Sequence, residues 1–454
     1  MPLCAEQSGR RSEDGSPILN GRRISATGDS IDNAARAHLS RSLRAFWRNA
    51  VRLPWRKLRK QLRDAALTRS GAGAKVAVDE TTELRSVPFD GRFPPALAQS
   101  TVVEACEYRT KLHRLSVNST TTERMHYEPH VVHAPALTLE HLVDQYWHPA
   151  LGLLISKQGR VWRHSFLGPF QEGFLSSVKA IAERPLPDGT REHRFFESRM
   201  RAPVIVGEHL LIANSDRPNF GHYLLDVAPL VHLGAAMRAP MLTWTLHPWQ
   251  RAIVARLNVP SGLIREIKPR PVFLEHAITS NRLSGAASQN AHPQHREVFG
   301  AILDDVRKRA PTMSTPGRVL VCRGVANIRN ITNRAAMIDA LKPLGFAAIQ
   351  PEKLPFDEQA LLFAQADVIV CEFGAAMANV VFCRPGTKIV EIIAEGQHDP
   401  WSAHLCAMLE LEHVVIFQRQ SEAALATPRH VRDTTFTYAV DVPKLAATVD
   451  ALLH

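Results

Sequence analysis

ADVIVCEFGAAMANVVFCRPGTKIVEI, residues 366–392, is the stretch that decides the fold. The run from Asp367 to Cys371 is short, β-branched and without polar interruption, which marks a strand buried on both faces of a parallel sheet. Phe373-Gly374-Ala375-Ala376 then turns the chain into a helix. Its small side chains let a ligand approach the backbone, and the first helical N–H groups, having no partner inside the helix, offer an anion a seat. Arg384-Pro385-Gly386 ends that helix, because proline cannot continue the hydrogen-bond ladder and glycine takes the left-handed turn. Thr387 to Ile392 re-enters the sheet with Glu391 near its end. In open α/β sheets ligands bind at the carboxyl ends of such strands, so Glu372, Phe373, Gly374 and Ala375 are expected to line a site.

Outward from this unit the pattern stays regular. Strands are expected at Val319 to Cys322, Phe346 to Ile349 and His413 to Phe417, and helices at Arg334 to Lys342, Phe356 to Gln365, Trp401 to Leu411 and Val442 to Leu453. Strands alternating with helices mean a parallel, doubly wound sheet. Arg323 and Arg329 leave the carboxyl end of its first strand, just before Asn333. Arginine in that place suits a diphosphate, which its planar fork holds bidentately; pairing with surface carboxylates is the alternative. The chain contains neither G-x-G-x-x-G nor G-x-x-x-x-G-K-[ST], so the dinucleotide fingerprint and the P-loop are both excluded.

Upstream, strands are read at Leu151 to Ser156, Arg160 to His164, Val204 to Ile212, Met241 to Leu246, Ile264 to Ile267 and Val272 to Glu275. Leu139 to Asp144 reads as a helix start, and helices are read at Trp249 to Leu257 and Glu297 to Arg309. Ser280 to His295 reads as a crossing loop whose His292 and His295 are solvated, since no third ligand lies at a persuasive spacing. The important segment here is Asn219 to Leu233, NFGHYLLDVAPLVHL. Phe220, Leu224, Val227, Leu230 and Val231 fall at helical spacing, Asn219 stands at the N-terminus, and His222 and Asp226 project from one side. A carboxylate one turn from an imidazole can hold its tautomer and raise its basicity, which suits removal of a proton from a hydroxyl. A surface ion pair is the bland alternative.

The 454 residues are 45% apolar and 22% charged, the balance of a soluble globular protein with room for two or three domains. No run of 18 or more apolar residues provides a spanning helix. The six cysteines make no C-x-x-C pair, so a reducing compartment, no disulfide and no zinc are expected. The net charge of +11 is localised: residues 1–75 hold 16 Lys/Arg against 6 Asp/Glu, or +10, leaving +1 for the rest. The basic character therefore belongs to an arm, whose segment Arg41 to Arg63 puts Leu43, Trp47, Val51, Trp55, Leu58 and Leu62 on one stripe of a basic helix. Such a segment suits an anionic bilayer surface, with packing on the body, solvation or nucleic-acid binding as alternatives. The domains expected are this arm (1–75), a first α/β domain (76–290) and a second α/β domain (291–454).

Three of these stretches, in order, resemble the signatures of glycosyltransferase family 61. Asn219, His222 and Asp226, with Tyr223 at the aromatic position, resemble its N-x-x-H-W-x-x-D helix. Arg323, Arg329 and Asn333 resemble its S-R and R-x-x-x-N elements, and Glu358 and Gln359 its L-S-F-x-E-Q segment. Gly374, Ala375, Asn379, Phe382, Pro385, Gly386 and Glu391 resemble its H-G-A-x-x-x-N turn and closing strand, with Phe373 in place of the histidine. The resemblance implies a GT-B-like fold of two Rossmann-type domains, with the site in the cleft between them. It implies an inverting glycosyltransferase of the bacterial capsular polysaccharide type, cytoplasmic or peripheral on the inner membrane face, moving a sugar from a nucleotide-sugar donor to a hydroxyl of a glycan acceptor, with no obligate metal and no cofactor beyond the co-substrate. The site residues so implied are His222, Asp226 and Glu372 for catalysis; Arg323, Arg329, Asn333, Gly374, Ala375, Asn379 and Glu391 for the donor; and Asn219 and Tyr223 on the acceptor side. The vacant histidine position favours a second reading, a non-catalytic sugar or nucleotide-sugar binding protein; the neutral body disfavours a nucleic-acid binder.

Overall fold

The computed structural model describes residues 74–76, 85–86, 95, 97–110, 115–116, 129–148, 153–157, 162, 181–185, 191–195, 202–213, 219–283, 291–310, 313–324, 329–394, 400–418 and 437–454. The basic segment Arg41 to Arg63 and most of the strand expected at Arg160 to His164 lie outside the described residues.

The first sheet takes β1 (Arg85–Ser86), β2 (Ala98–Val103), β4 (Leu137–His148), β5 (Leu153–Ser156), β6 (Val204–Leu211), β7 (Met241–Trp244), β8 (Ile264–Ile267) and β9 (Val272–Ser280); β3 (Leu115–Ser116) leaves for the second sheet. Its order is β8-β7-β6-β9-β4-β2-β1, with β5 on the side of β4. The four strands β8, β7, β6 and β9 run parallel, while β4 is antiparallel to β9, β2 and β5. The first sheet is therefore mixed. The second sheet, β11-β10-β12-β13-β14-β3, is parallel throughout, from β10 (Arg318–Val321), β11 (Ala347–Ile349), β12 (Val368–Glu372), β13 (Lys388–Ala394) and β14 (Glu412–Gln418).

β4 corrects the helix start expected at Leu139. Leu139, Leu142, Val143 and Tyr146 have helical spacing, yet the segment is a strand with both faces covered. Leu139 enters one core and Leu142 another, and Glu140 is buried because its carboxylate accepts the Trp162 indole N–H at 2.7 Å. Burial on both faces erases the alternation that would have announced a strand.

The helices are α1, which runs as Phe220–His222, a π turn at Tyr223–Val227 and Ala228–Ala236, then α2 (Pro248–Arg256), α3 (Gln294–Arg309), α4 (Arg334–Leu341), α5 (Phe356–Gln365), α6 (Trp401–Met408) and α7 (Val442–Leu453). The segment after Gly374 is a 3₁₀ helix, Ala375–Phe382, in which Met377 N–H donates to the Gly374 carbonyl at 2.9 Å. The apolar side chains sort into layers. One cluster joins the inner faces of both sheets through α1, α2, α3, α5 and the 3₁₀ helix; Leu224, Phe299, Ile369 and Val380 belong to it. A second, with Met337, Leu341, Leu445 and Val449, covers the outer face of the second sheet under α4 and α7. A third, built on Trp147, Leu154 and Trp162, covers the outer face of the first. Burial of the shared cluster holds the two sheets to one another, with Arg256 of α2 gripping Asp357 of α5 through bonds of 2.7 and 2.6 Å.

Candidate active site

α1 begins at Asn219, whose side chain accepts from His222 N–H at 3.3 Å and caps the first turn. Gly221 then lies on the Gly374–Ala375 turn of the other half. A Cβ built at 221 would stand 3.5 Å from Ala375 Cα and 3.6 Å from its carbonyl oxygen, which is ordinary contact and leaves no room for anything larger. The next residue, His222, sits at this junction with its side chain 28% exposed, and its Nδ1 is 3.0 Å from Oδ2 of Asp226, which is fully buried. With Asp226 Oδ2 accepting from Nδ1–H, Nε2 is left as the basic nitrogen.

His222 immediately precedes the π turn and Asp226 lies within it, where Ala228 N–H donates to the Tyr223 carbonyl instead of one residue later. Turns of this kind concentrate at functional sites. Behind it lies a buried polar network absent from the sequence reading. His295 Nδ1 lies 2.9 Å from both the N–H and the carbonyl of His292, and its Nε2 lies 3.2 Å from the Leu225 carbonyl, so both ring nitrogens meet polar partners. Burial, then the Arg282 guanidinium whose Nη2 is 3.1 Å from Nε2, pushes the His295 pKa down to about 3. Arg282 is itself fully buried; burial lowers its pKa to about 10, opposed by the charge of Asp226. Thus His292 and His295, expected to be solvated, are interior residues at 2% and 1% exposure. The physical reason is that each ring has a polar partner inside the protein: His295 Nε2 meets the Leu225 carbonyl of α1, and His292 Nε2 lies 2.9 Å from the Glu104 carbonyl.

On the facing turn, Arg323 donates from Nη1 to the Phe373 carbonyl at 3.2 Å. A Cβ at Gly374 would lie 3.1 Å from that nitrogen, so glycine is what lets the guanidinium close on the backbone. Arg329, in the left-handed region at φ 54, sets its guanidinium carbon 5.3 Å from the Phe373 ring centroid, a cation–π contact. Phe373 also packs against Trp401. Glu372 lies beneath, 1% exposed, and accepts from Arg334 Nε and Nη2 at 2.7 and 2.9 Å. The nearby Tyr438 hydroxyl has its pKa pushed up by burial and then by Glu372, and lowered by Arg323, Arg329 and Arg334. Three guanidinium groups stand against the carboxylates of Glu372 and of Glu352, which borders Gly324, so the balance at this strand end is positive and suits an anion.

The remaining candidates stand apart. Asn333 grips the Val440 backbone, donating to its carbonyl at 2.8 Å and accepting its N–H at 2.9 Å. Asn379 is fully buried and donates to Gln359 and to the Ala376 carbonyl, both at 3.2 Å. Glu391 is fully buried and accepts from Ser402 at 2.8 Å and from His413 at 2.9 Å. Tyr223 is buried edge-on to Trp249 at 5.3 Å. The structure therefore brings together Asn219, His222, Asp226, Arg323, Arg329, Glu372, Gly374 and Ala375, and places Tyr223, Asn333, Asn379 and Glu391 in the packing around them. Arg282, Arg334 and Tyr438 were missed. Arg334 follows Asn333 directly, and a cation opening a helix beside a carboxylate-bearing strand end was its one signal; Arg282 had none, being a lone arginine in a polar segment.

Residues 220–390 match the family model described as Glycosyltransferase 61. No curated protein matches the chain.

Proposed function

The chain belongs to glycosyltransferase family 61 through residues 220–390, and from that premise we propose that it moves a sugar, with inversion, from a nucleotide-sugar donor to a hydroxyl of a glycan acceptor. His222 Nε2 takes the acceptor proton while Asp226 holds Nδ1–H and stabilises the imidazolium that forms. Arg323 and Arg329 neutralise the departing diphosphate beside the Gly374 turn, fixed guanidinium charge doing the work of a cation. The observation that carries this reading is the seating of Gly221 on Ala375, which sets the His222–Asp226 pair against the turn held by Arg323.

The test is nucleotide release with a panel of nucleotide-sugars and glycan acceptors. Loss of a general base costs on the order of 10²- to 10⁴-fold in rate, so His222→Ala is expected to lose that much turnover with donor affinity nearly unchanged. Turnover near wild type in His222→Ala would sink the assignment. The second reading, a binding protein without turnover, has Phe373 at the histidine position in its favour; it requires donor binding by the wild-type protein and release by none of the panel. The setting proposed is synthesis of a capsular or other surface polysaccharide at the cytoplasmic membrane face, with no nucleic acid involved. None of the described helices is long and apolar enough to cross a membrane, and the attachment proposed is through the basic segment of residues 41–63 and its apolar stripe. Equal co-sedimentation with anionic liposomes by the full chain and by a chain starting at Val76 would remove the arm from this account.

A further inference from the structure

A second group of reactive side chains lies in the first sheet, away from its carboxyl ends. β6, β9 and β4 are neighbours, with Glu208 opposite His276 and Ile278 opposite His141. Strand alternation puts Glu208 on the face of Leu210, His276 on that of Ile278 and His141 on that of Leu139, and those three apolar residues belong to the shared core. α1 covers this face as far as Gly234, where a Cβ would stand 3.1 Å from Leu210 Cδ2, and ends at Ala236. One step further along the strands the apolar side chains give way to two imidazoles and a carboxylate.

One donor atom from each of the three residues falls within 4.8 Å of the others. His141 Nε2 is 3.2 Å from His276 Nδ1 and 3.7 Å from Glu208 Oε1. Ligands held about 2.0–2.1 Å from one tetrahedral zinc stand about 3.3–3.4 Å from each other, so these separations need only tenths of an ångström of adjustment. The backbone is shaped to bring the carboxylate in. The β6–β9 register shifts between Ile205 and Glu208, and Gly207 adopts φ 88, a bulge of the kind that re-aims the following side chain. Gly207 N–H donates to Glu275 Oε2 at 3.4 Å, which ties the bulge to the strand bearing His276. The His141 side chain is 3% exposed and that of Glu208 44%. An ion would thus be anchored from within and closed from outside, with a coordination position left to solvent. A plain imidazole–imidazole hydrogen bond accounts for the His141–His276 distance but not for the bulge that carries Glu208 to it.

The geometry points to a divalent transition-metal site formed by His141, His276 and Glu208, with zinc the ion best suited to two imidazoles and one carboxylate. It cross-links β4, β9 and β6. Along α1 from His222 to Gly234 is roughly 18 Å at the helical rise, so the ion lies remote from the transfer site and its role is to fix the sheet beneath α1. The inference is independent of the reaction proposed above.

The experiment uses the full chain, stripped with chelator and titrated with zinc against a chromophoric competitor, with cobalt absorption as a report on geometry. The wild-type chain is expected to take up one equivalent more than the double variant His276→Ala/Glu208→Gln. Loss of even an outer-shell partner typically costs 10- to 100-fold in metal affinity, so Glu208→Gln alone should weaken that equivalent at least about ten-fold. His133→Asn, at an exposed His133–Glu107 pair of 2.7 Å that has no third ligand among the described residues, is expected to leave it unchanged. If His276→Ala does not fold, Glu208→Gln, a change at a half-exposed surface carboxylate, decides alone. Uptake by the wild-type chain no greater than by the double variant, or unchanged affinity in Glu208→Gln, overturns the site.

Discussion

Glu372 stands beside the turn at Gly374 and is the competing candidate for general base, so the consequence of Glu372→Gln separates two accounts of the site. Both of its oxygens face Arg334, at 2.7 and 2.9 Å, with the carboxylate side chain 1% exposed and the guanidinium 18%. Glutamine keeps one acceptor and loses the charge, leaving a largely buried guanidinium without its anion. Hydrogen bonds to charged groups contribute about 1.5–3 kcal/mol each, and breaking a buried pair from one side costs about 3–5 kcal/mol. Retention of one acceptor puts the loss near the lower figure, about 3 kcal/mol. At about 2.1 cal/mol/K per residue, a cooperative unit of nearly 400 residues has an unfolding entropy of roughly 0.8 kcal/mol/K, so Tm is expected to fall by about 4 °C. Turnover of the folded fraction, assayed well below that Tm, is expected within a few-fold of wild type. A Glu372→Gln protein that melts within a degree of wild type while its turnover drops 10²-fold or more would refute this reasoning and move the base from His222 to Glu372.

Asn333→Ala is expected to free the strand before α7, costing about 2 kcal/mol for two bonds to the buried Val440 backbone; faster amide exchange at residues 437–440 checks it, whereas a raised donor KM at unchanged stability would return Asn333 to the donor site. Acid sensitivity follows from His295, whose pKa is about 3 in the folded chain against about 6.5 unfolded. The unfolded chain binds the extra proton between those values, so stability is full above about pH 6.5 and falls as pH drops toward 3, by up to about 1.4 kcal/mol per pH unit. His404, lowered to about 4 by burial and then by His130, adds to the loss in the upper part of that window. Urea unfolding at several pH values should show His295→Gln with a slope shallower by about one proton, and an unchanged slope would mean that His295 carries no such burden. Asp226→Asn should lower turnover while leaving donor affinity in place, and the opposite split would make Asp226 a binding group.

Apart from β3, the second sheet was legible because each of its other strands is a short apolar run beside a helix of clear period; α5 and α7 run Phe356–Gln365 and Val442–Leu453 as read from spacing alone. In the first sheet the parallel strands β6 to β9 and the short antiparallel β5 were legible, whereas β4 was read as a helix start and β1 and β2 were not read. β4 mimics a helix because burial on both faces removes alternation, and Glu140 inside it is bonded by Trp162, a partner 22 residues away that no local window contains. The π turn carries no local signal, since one extra residue in a turn changes which partners meet but not which residues are apolar. The meeting of Gly221 with Ala375 was foreshadowed by small residues at both places. The interior positions of Asn333, Asn379 and Glu391 were not, because a polar residue near a strand end or helix start reads alike whether its partner is a ligand or the protein's own backbone.

β3 has a consequence for how this protein is made. Two residues, Leu115 and Ser116, close the edge of a sheet whose other strands lie between Arg318 and Gln418, pairing with Val415 and Ile416. On the ribosome that edge piece emerges some 300 residues before its partner, an interval of roughly 15–60 s at 5–20 residues per second. During that time the upstream half can settle only with β3 held out of place, and when β14 appears its open edge is available to any extended chain nearby. Slow translation through residues 300–410 would lengthen the time β3 waits without its partner, and a nascent-chain chaperone would act most usefully there. The yield of native protein should therefore depend more on synthesis rate and temperature than the stability of the finished fold suggests.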